Sequence, residues 1–219
     1  MLNPTLDTSS AWTLAQFLHW YQALHGGRGA ATWLGRPAAK YPWDAWTYQE
    51  LIYRVKPQLI VELGSYKGGS ACFLADMQRL CGIHDALTIT VDTSLLRLNH
   101  SGVKVITGDD TFPPTVAQCV DYARQSASVM VIADSDHTES HVLAQLNLYA
   151  PLVTLGSYFI VEDTICDILH LAGCPTRGPL HAVAAFLQTP LGAAFTVDRT
   201  CEPYILTCAP GGFLRRDRV

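Results

Sequence analysis

Five continuous apolar runs constrain the fold more than any other feature of this chain. They are "QLIVEL" (58–63), "LTITVD" (87–92), "VKVIT" (103–107), "VMVIAD" (129–134) and "YFIVED" (158–163). They do not alternate apolar with polar, so they suit strands covered on both faces, as in a parallel sheet. Helical patterns fall between and after them at about 69–81, 112–125, 138–150 and 179–188. The β-α-β-α order implies an α/β fold: a Rossmann-like, doubly wound, mostly parallel sheet with right-handed crossovers. Further on, "FTVDR" (195–199) and "PYILTC" (203–208) read as a C-terminal antiparallel hairpin.

The chain has 219 residues and is 49% hydrophobic, enough for one globular domain with a sizeable core. The sheet-forming region is placed at 56–219, behind an N-terminal helical or lid extension at 1–55 with helical patterns at about 13–24 and 46–55. Between those patterns lies "GGRGAATWLGRPAAKYPW", whose aromatics suit an ordered loop or lid better than a flexible linker. The net charge is −4 and no basic run occurs, which argues against nucleic acid as a partner. The apolar runs fall far short of the ~20 residues of a membrane span. The start "MLNPTLDTSS" lacks the basic and apolar regions of a secretory signal. Seven cysteines at scattered spacings, with no CxxC, suggest free thiols in a reducing, cytoplasmic setting.

Four of the five strands end in acids: Glu62, Asp92, Asp134 and the pair Glu162–Asp163. One such acid could cap a helix. Four would meet at the rim beyond the strand ends, where open α/β sheets bind ligands. The first strand leads into Glu62-x-Gly64-Ser65-Tyr66-x-Gly68-Gly69-Ser70. This is not the G-x-G-x-x-G dinucleotide turn, and a carboxylate there would repel a pyrophosphate. It suits a cationic ligand, and S-adenosylmethionine offers an ammonium, a sulfonium and ribose hydroxyls. On this reading Gly64 admits the cofactor close to the backbone, and Ser70 marks a helix N-terminus that favours the methionine carboxylate. Asp92 would accept from the ribose hydroxyls. Asp109 or Asp110 would accept from the adenine amine, with an N-cap of the following helix as the alternative for Asp110.

"VIADSDH" (131–137) and "FIVEDT" (159–164) bring a third cluster. Asp134, Glu162 and Asp163 would repel one another unless a cation compensates, and an all-oxygen set suits Mg²⁺. His137, on the turn into the next helix, is placed to take a proton from a substrate hydroxyl; the alternative is a helix-start histidine bound to a carboxylate. Asp136 reads as an N-cap or supporting group, and His141 shares a helix face with His137.

"VELGSYKGGS" resembles the cofactor motif of catechol-type, Mg²⁺-dependent, S-adenosylmethionine-dependent O-methyltransferases. With "WLGRPAAKYPWDAWTYQELI", "DSDH", "FIVEDT" and "GGFLRR" the pattern, from about Trp33 to Arg216, is more similar to the cephalosporin hydroxylase family. Characterised relatives of that type are methyltransferases of antibiotics and sugars. The resemblance implies a class I methyltransferase fold, with Glu62, Gly64 and Ser70 in the methionine-binding turn and Asp92 at the ribose. It implies Asp134, Glu162 and Asp163 as metal ligands, with Asp134 also bordering the cofactor. His137 stands where the catechol-type enzymes carry a lysine base, so the role transfers with a change of chemistry.

The expected reaction is methyl transfer to a hydroxyl of a small-molecule acceptor, a natural product or a sugar. Trp33, Tyr41, Trp43 and Trp46 could stack on that acceptor or form an interface of a homo-oligomer; Trp46, patterned with Leu51, is expected to pack inward. Three rival readings are a nicotinamide-dependent oxidoreductase, a metal-dependent hydrolase and a catalytically silent S-adenosylmethionine-binding or assembly protein. The missing dinucleotide turn disfavours the first, and the Glu62 turn would have no purpose in the second.

Overall fold

The computed structural model describes residues 13, 16–18, 31–170, 175–204 and 206–218. Its elements begin with a short hairpin, β1 (Thr32–Trp33) and β2 (Arg36–Pro37), followed by helix α1 (Pro42–Val55). The βα units are β3 (Leu59–Leu63), α2 (Gly69–Leu80), β4 (Leu87–Asp92), β5 (Val103–Thr107), α3 (Pro113–Ala123), β6 (Val129–Ala133), α4 (Glu139–Tyr149) and β7 (Tyr158–Val161). Then come α5 (Ile165–Leu169), α6 (Pro179–Phe186), β8 (Phe195–Val197) and β9 (Phe213–Arg216). Of the helical pattern at 13–24, residues 16–18 are helical and most of the rest lies outside the described residues.

Seven strands form one sheet in the order β5-β4-β3-β6-β7-β9-β8. The first five run parallel, and β9 runs antiparallel between β7 and β8. Every residue of β3, β6 and β7 is buried, as continuous apolar runs require when helices cover both faces. Alternate residues of β3 serve two cores. Leu59, Val61 and Leu63 pack with Val142, Leu146 and Tyr149 on one face. Ile60 packs with Tyr48, Leu51, Ile52 and Leu74 on the other. Each such side chain, fully buried, contributes about 1.5–3 kcal/mol. Glu62 follows Ile60 on that second face and is fully buried. The chain leaves β3 toward β4 on one side and returns to pair β6 on the other. The order therefore reverses between β3 and β6, and their carboxyl ends open the crevice in which doubly wound sheets bind ligands.

Several expectations change. The antiparallel partner of β8 is β9, not 203–208, which forms no strand among its described residues. Asp198 turns the chain by accepting from the Thr200 N–H and hydroxyl, and the backbone of Cys208 bonds instead to Asp44 and Ile165. Helix α1 starts at Pro42, four residues ahead of the expected 46, because proline is suited to a first helical turn. Trp46 faces outward, 60% exposed, while Asp44, Tyr48, Leu51 and Ile52 form the inward stripe. Cys72, Cys81, Cys119, Cys201 and Cys208 are free thiols, but Cys166 is disulfide-bonded. Spacing along a chain does not reveal which thiols meet in space; Cys174 lies outside the described residues. Among the described residues no helix is long and apolar enough to cross a membrane.

Candidate active site

The turn after β3 is built on close approach. Gly64 has φ +102°, and a Cβ on it would lie 1.9 Å from the carbonyl oxygen of Asp134. What this glycine demonstrably admits is the Asp134 backbone, whose N–H donates to Leu63 O at 2.8 Å. Gly69, in the first turn of α2, has a similar role: a Cβ there would stand 2.2 Å from Pro37 O. The β1–β2 hairpin thus rests on the start of α2. Trp33 fastens it there: its Nε1–H donates to Asp76 at 2.8 Å and its ring meets Phe73 edge-on at 5.1 Å. Tyr41 and Trp43 stack on each other at 4.9 Å.

Asp92, at the end of β4, accepts from the Ser65 and Tyr66 N–H groups at 3.1 Å each and from Ser94 N–H at 2.8 Å. It rivets the turn to the neighbouring strand and stays half-exposed at the rim. Ser70 is buried in the first turn of α2, after Gly68 in the N-cap position. Glu62 accepts from Thr90 Oγ1 at 2.6 Å through Oε2, while its buried Oε1 has no hydrogen-bond partner. Burial pushes Glu62 up to about 7 against the opposing charge of Lys40. An unpartnered carboxylate oxygen beside a helix N-terminus has the donor–acceptor character that an amino-acid head group needs.

The two aspartates after β5 divide their work. Asp109 is exposed and accepts from Thr111 N–H and Oγ1, both at 2.7 Å. Asp110 is not the N-cap of α3, which falls at Phe112. Its carboxylate is taken up by His141 Nε2 at 2.8 Å, Ser135 Oγ at 2.7 Å and Gln145 Nε2 at 2.9 Å. Hydrogen bonding to Asp110 outweighs partial burial and raises His141 above its ordinary value. His141 therefore braces the loop that carries Asp134. Asp136 accepts from Thr138 N–H at 2.7 Å just ahead of α4, a local turn contact.

Asp134, His137 and Asp163 converge, with one ligand atom from each lying within 4.8 Å of the others, all partly exposed. His137 Nε2 is 3.1 Å from Asp163 Oδ2. Asp163 has φ +56°, a conformation uncommon outside glycine. Glu162 lies deeper, 3% exposed. Its Oε1 accepts from Tyr48 Oη at 2.5 Å and from Lys40 Nζ at 2.6 Å, and its Oε2 faces Cys208 Sγ at 3.7 Å. Lys40 also pairs with Asp134 Oδ2. Burial alone would lower the Lys40 ammonium, but Asp134, Glu162 and Glu62 hold it well above its ordinary value. Burial and repulsion from Asp134 raise Glu162.

Reading the sequence did not single out Lys40, Tyr48 or Asp44 as site groups. Asp44 accepts from Cys208 N–H at 2.9 Å, and burial raises it to about 6. A trace was present: Asp44, Tyr48 and Leu51 fall at helical spacing on one face.

The carboxylate set fits a hard divalent cation, since the ammonium of Lys40 already occupies some of it as a stand-in charge. The family model described as "Rhamnosyl O-methyltransferase/CmcI" matches residues 28–217. A rhamnosyl O-methyltransferase of Mycobacterium leprae (strain TN) is 32% identical over 196 residues, covering 84% of this chain and 82% of the relative. Solved structures share the fold. "CmcI-N160 apo-structure" has a TM-score of 0.68 at 23% identity, over 98% of this chain and 88% of that one. "cmcI-D160 Mg-SAM" has a TM-score of 0.65 at 23% identity, over 96% and 87%. With the match running through the turn, the acid cluster and β9 alike, the chain belongs to the Rhamnosyl O-methyltransferase/CmcI family.

Proposed function

We propose that this protein transfers a methyl group from S-adenosylmethionine to a hydroxyl oxygen of a sugar or sugar-bearing natural product, with a divalent cation, Mg²⁺ by its donor chemistry, at the acid cluster. The observation that carries the reading is the convergence of Asp134, His137 and Asp163 at the β3–β6 crevice in a chain of this family. The cofactor supplies an electrophilic methyl on a sulfonium, and the cation acts as a Lewis acid that makes the acceptor hydroxyl easier to deprotonate.

The chain's own residues do the rest. Glu62, the turn from Gly64 through Ser65, Tyr66 and Gly68 to Ser70, and Asp92 would hold the methionine and ribose moieties. Asp109, exposed at the rim, is the acid left for the adenine amine. Asp134 and Asp163 would hold the cation, joined by Glu162 where Lys40 releases it. His137 would receive the acceptor's proton, and Asp163, already 3.1 Å away, would offset the charge the imidazole gains. Much of the protein's contribution would be holding oxygen and methyl close and aligned.

The test is transfer of labelled methyl from S-adenosylmethionine to rhamnosyl acceptors, with Mg²⁺ and with EDTA. The reading expects transfer that EDTA abolishes and Asp134→Ala lowers at least 100-fold. Undiminished turnover in EDTA and in D134A would remove the cation from the scheme.

A further inference from the structure

Lys40 lies in the segment joining the β1–β2 hairpin to α1, and both neighbours are anchored. The hairpin rests on Gly69, and α1 is tied to the sheet end through Asp44 and Tyr48. Its ammonium is therefore aimed at a defined place. That place is occupied by oxygens of two acids expected to bind the cation: Asp134 Oδ2, and Glu162 Oε1 at 2.6 Å. The side chain is 5% exposed, so water does little to screen it. Its field reaches Glu62 and Asp163 as well, so one ammonium serves four carboxylates. Asp134, His137 and Asp163 form the more accessible side of the same cluster. A compact ammonium on a flexible stem can leave a carboxylate without moving the backbone that carries it. Two cations cannot hold the same oxygens at full strength.

We infer that Lys40 is a resident counter-cation, which partly offsets the charge of Asp134 and Glu162 in the ion-free protein and competes with the divalent ion for their oxygens. The inference rests on the cation reading above and adds that this chain sets its own ion affinity from the N-terminal segment. Lys40 is thus a positioning residue: it acts on the acids, not on the acceptor.

The experiment is Mn²⁺ binding to the full chain without S-adenosylmethionine, by calorimetry and by the EPR signal of free Mn²⁺. Wild type is compared with Lys40→Met, Lys40→Gln and Asp134→Ala. The glutamine amide keeps a hydrogen-bond donor without the charge, which keeps the test open if the methionine variant does not fold. The expected result is Mn²⁺ affinity at least tenfold tighter in K40Q and K40M than in wild type. A lower melting temperature in EDTA, recovered on adding Mn²⁺, should accompany it. A merely structural lysine would lower stability without tightening the ion. Affinity in the Lys40 variants equal to or weaker than wild type, while D134A loses binding, overturns the inference and leaves the cation reading standing. Absence of Mn²⁺ binding in every chain overturns both.

Discussion

Replacing Gly64 with alanine puts a number on how tightly the crevice is built. A Cβ there would lie 1.9 Å from Asp134 O, whereas ordinary contact starts at 3.4 Å, a shortfall of 1.5 Å. No flexible side chain can yield, because the obstacle is backbone held by the 2.8 Å bond from Asp134 N–H to Leu63 O. The φ of +102° adds its own cost. We expect about 1–2 kcal/mol from the backbone conformation and about 1–3 kcal/mol from forced separation of the two strand ends. The total of about 2–5 kcal/mol is a large share of a domain stability of about 5–15 kcal/mol. Gly82→Ala is the internal control: it has φ +68° but nothing within 4 Å of its Cβ. Urea unfolding of both variants separates the two costs through their midpoints at unchanged m. Equal losses in G64A and G82A would show that contact with Asp134 is not what requires glycine. Because Asp134 moves with the strand end, methyl transfer by folded G64A should also fall, by about 100-fold for a displacement near 1 Å.

Further expectations follow the buried acids. Tyr48→Phe removes the phenol donating to Glu162 and should destabilise the protein by about 1.5–3 kcal/mol, read by urea melts; a loss below about 0.5 kcal/mol would mean Glu162 is satisfied without it. Glu62 titrates near 7 in the fold against an ordinary 4.5, so it is the unfolded chain that gives up this proton first. Its contribution is full below about pH 4.5 and is lost as the pH rises through about 7, a change of about 3 kcal/mol. Glu62→Gln should therefore gain stability relative to wild type between pH 5 and pH 8 in ligand-free protein, by roughly that amount; a difference independent of pH would place the unfavourable burial elsewhere.

β3, β6 and β7 were legible because a strand buried on both faces is largely apolar, as "LIVEL", "VMVIA" and "YFIV" are, whereas β5, with exposed positions, lies at the edge of the sheet. The acids were legible because they interrupt such runs at their carboxyl ends. What stayed hidden depends on contacts across the chain. Tyr48 meets Glu162 across 114 residues and Lys40 meets Asp134 across 94, and no local pattern encodes either. The strand expected at 203–208, which its described residues do not form, shows the converse. "PYILTC" has strand-like residues, yet Cys208 spends its backbone N–H on Asp44. Asp110 looked like a cap because it precedes a helix, whereas Ser135, His141 and Gln145, brought in by later elements, claim its carboxylate.

The insertion of β9 between β7 and β8 has a consequence for biosynthesis. Once β7 has emerged from the ribosome, and until Phe213–Arg216 follows it across the segment from Glu162 to Gly212, β7 has no partner on its outer side and presents an open edge. At about 5–20 residues per second that exposure lasts seconds. During that interval the nascent protein is a template for unwanted strand addition, and the arrival of Phe213–Arg216 ends it.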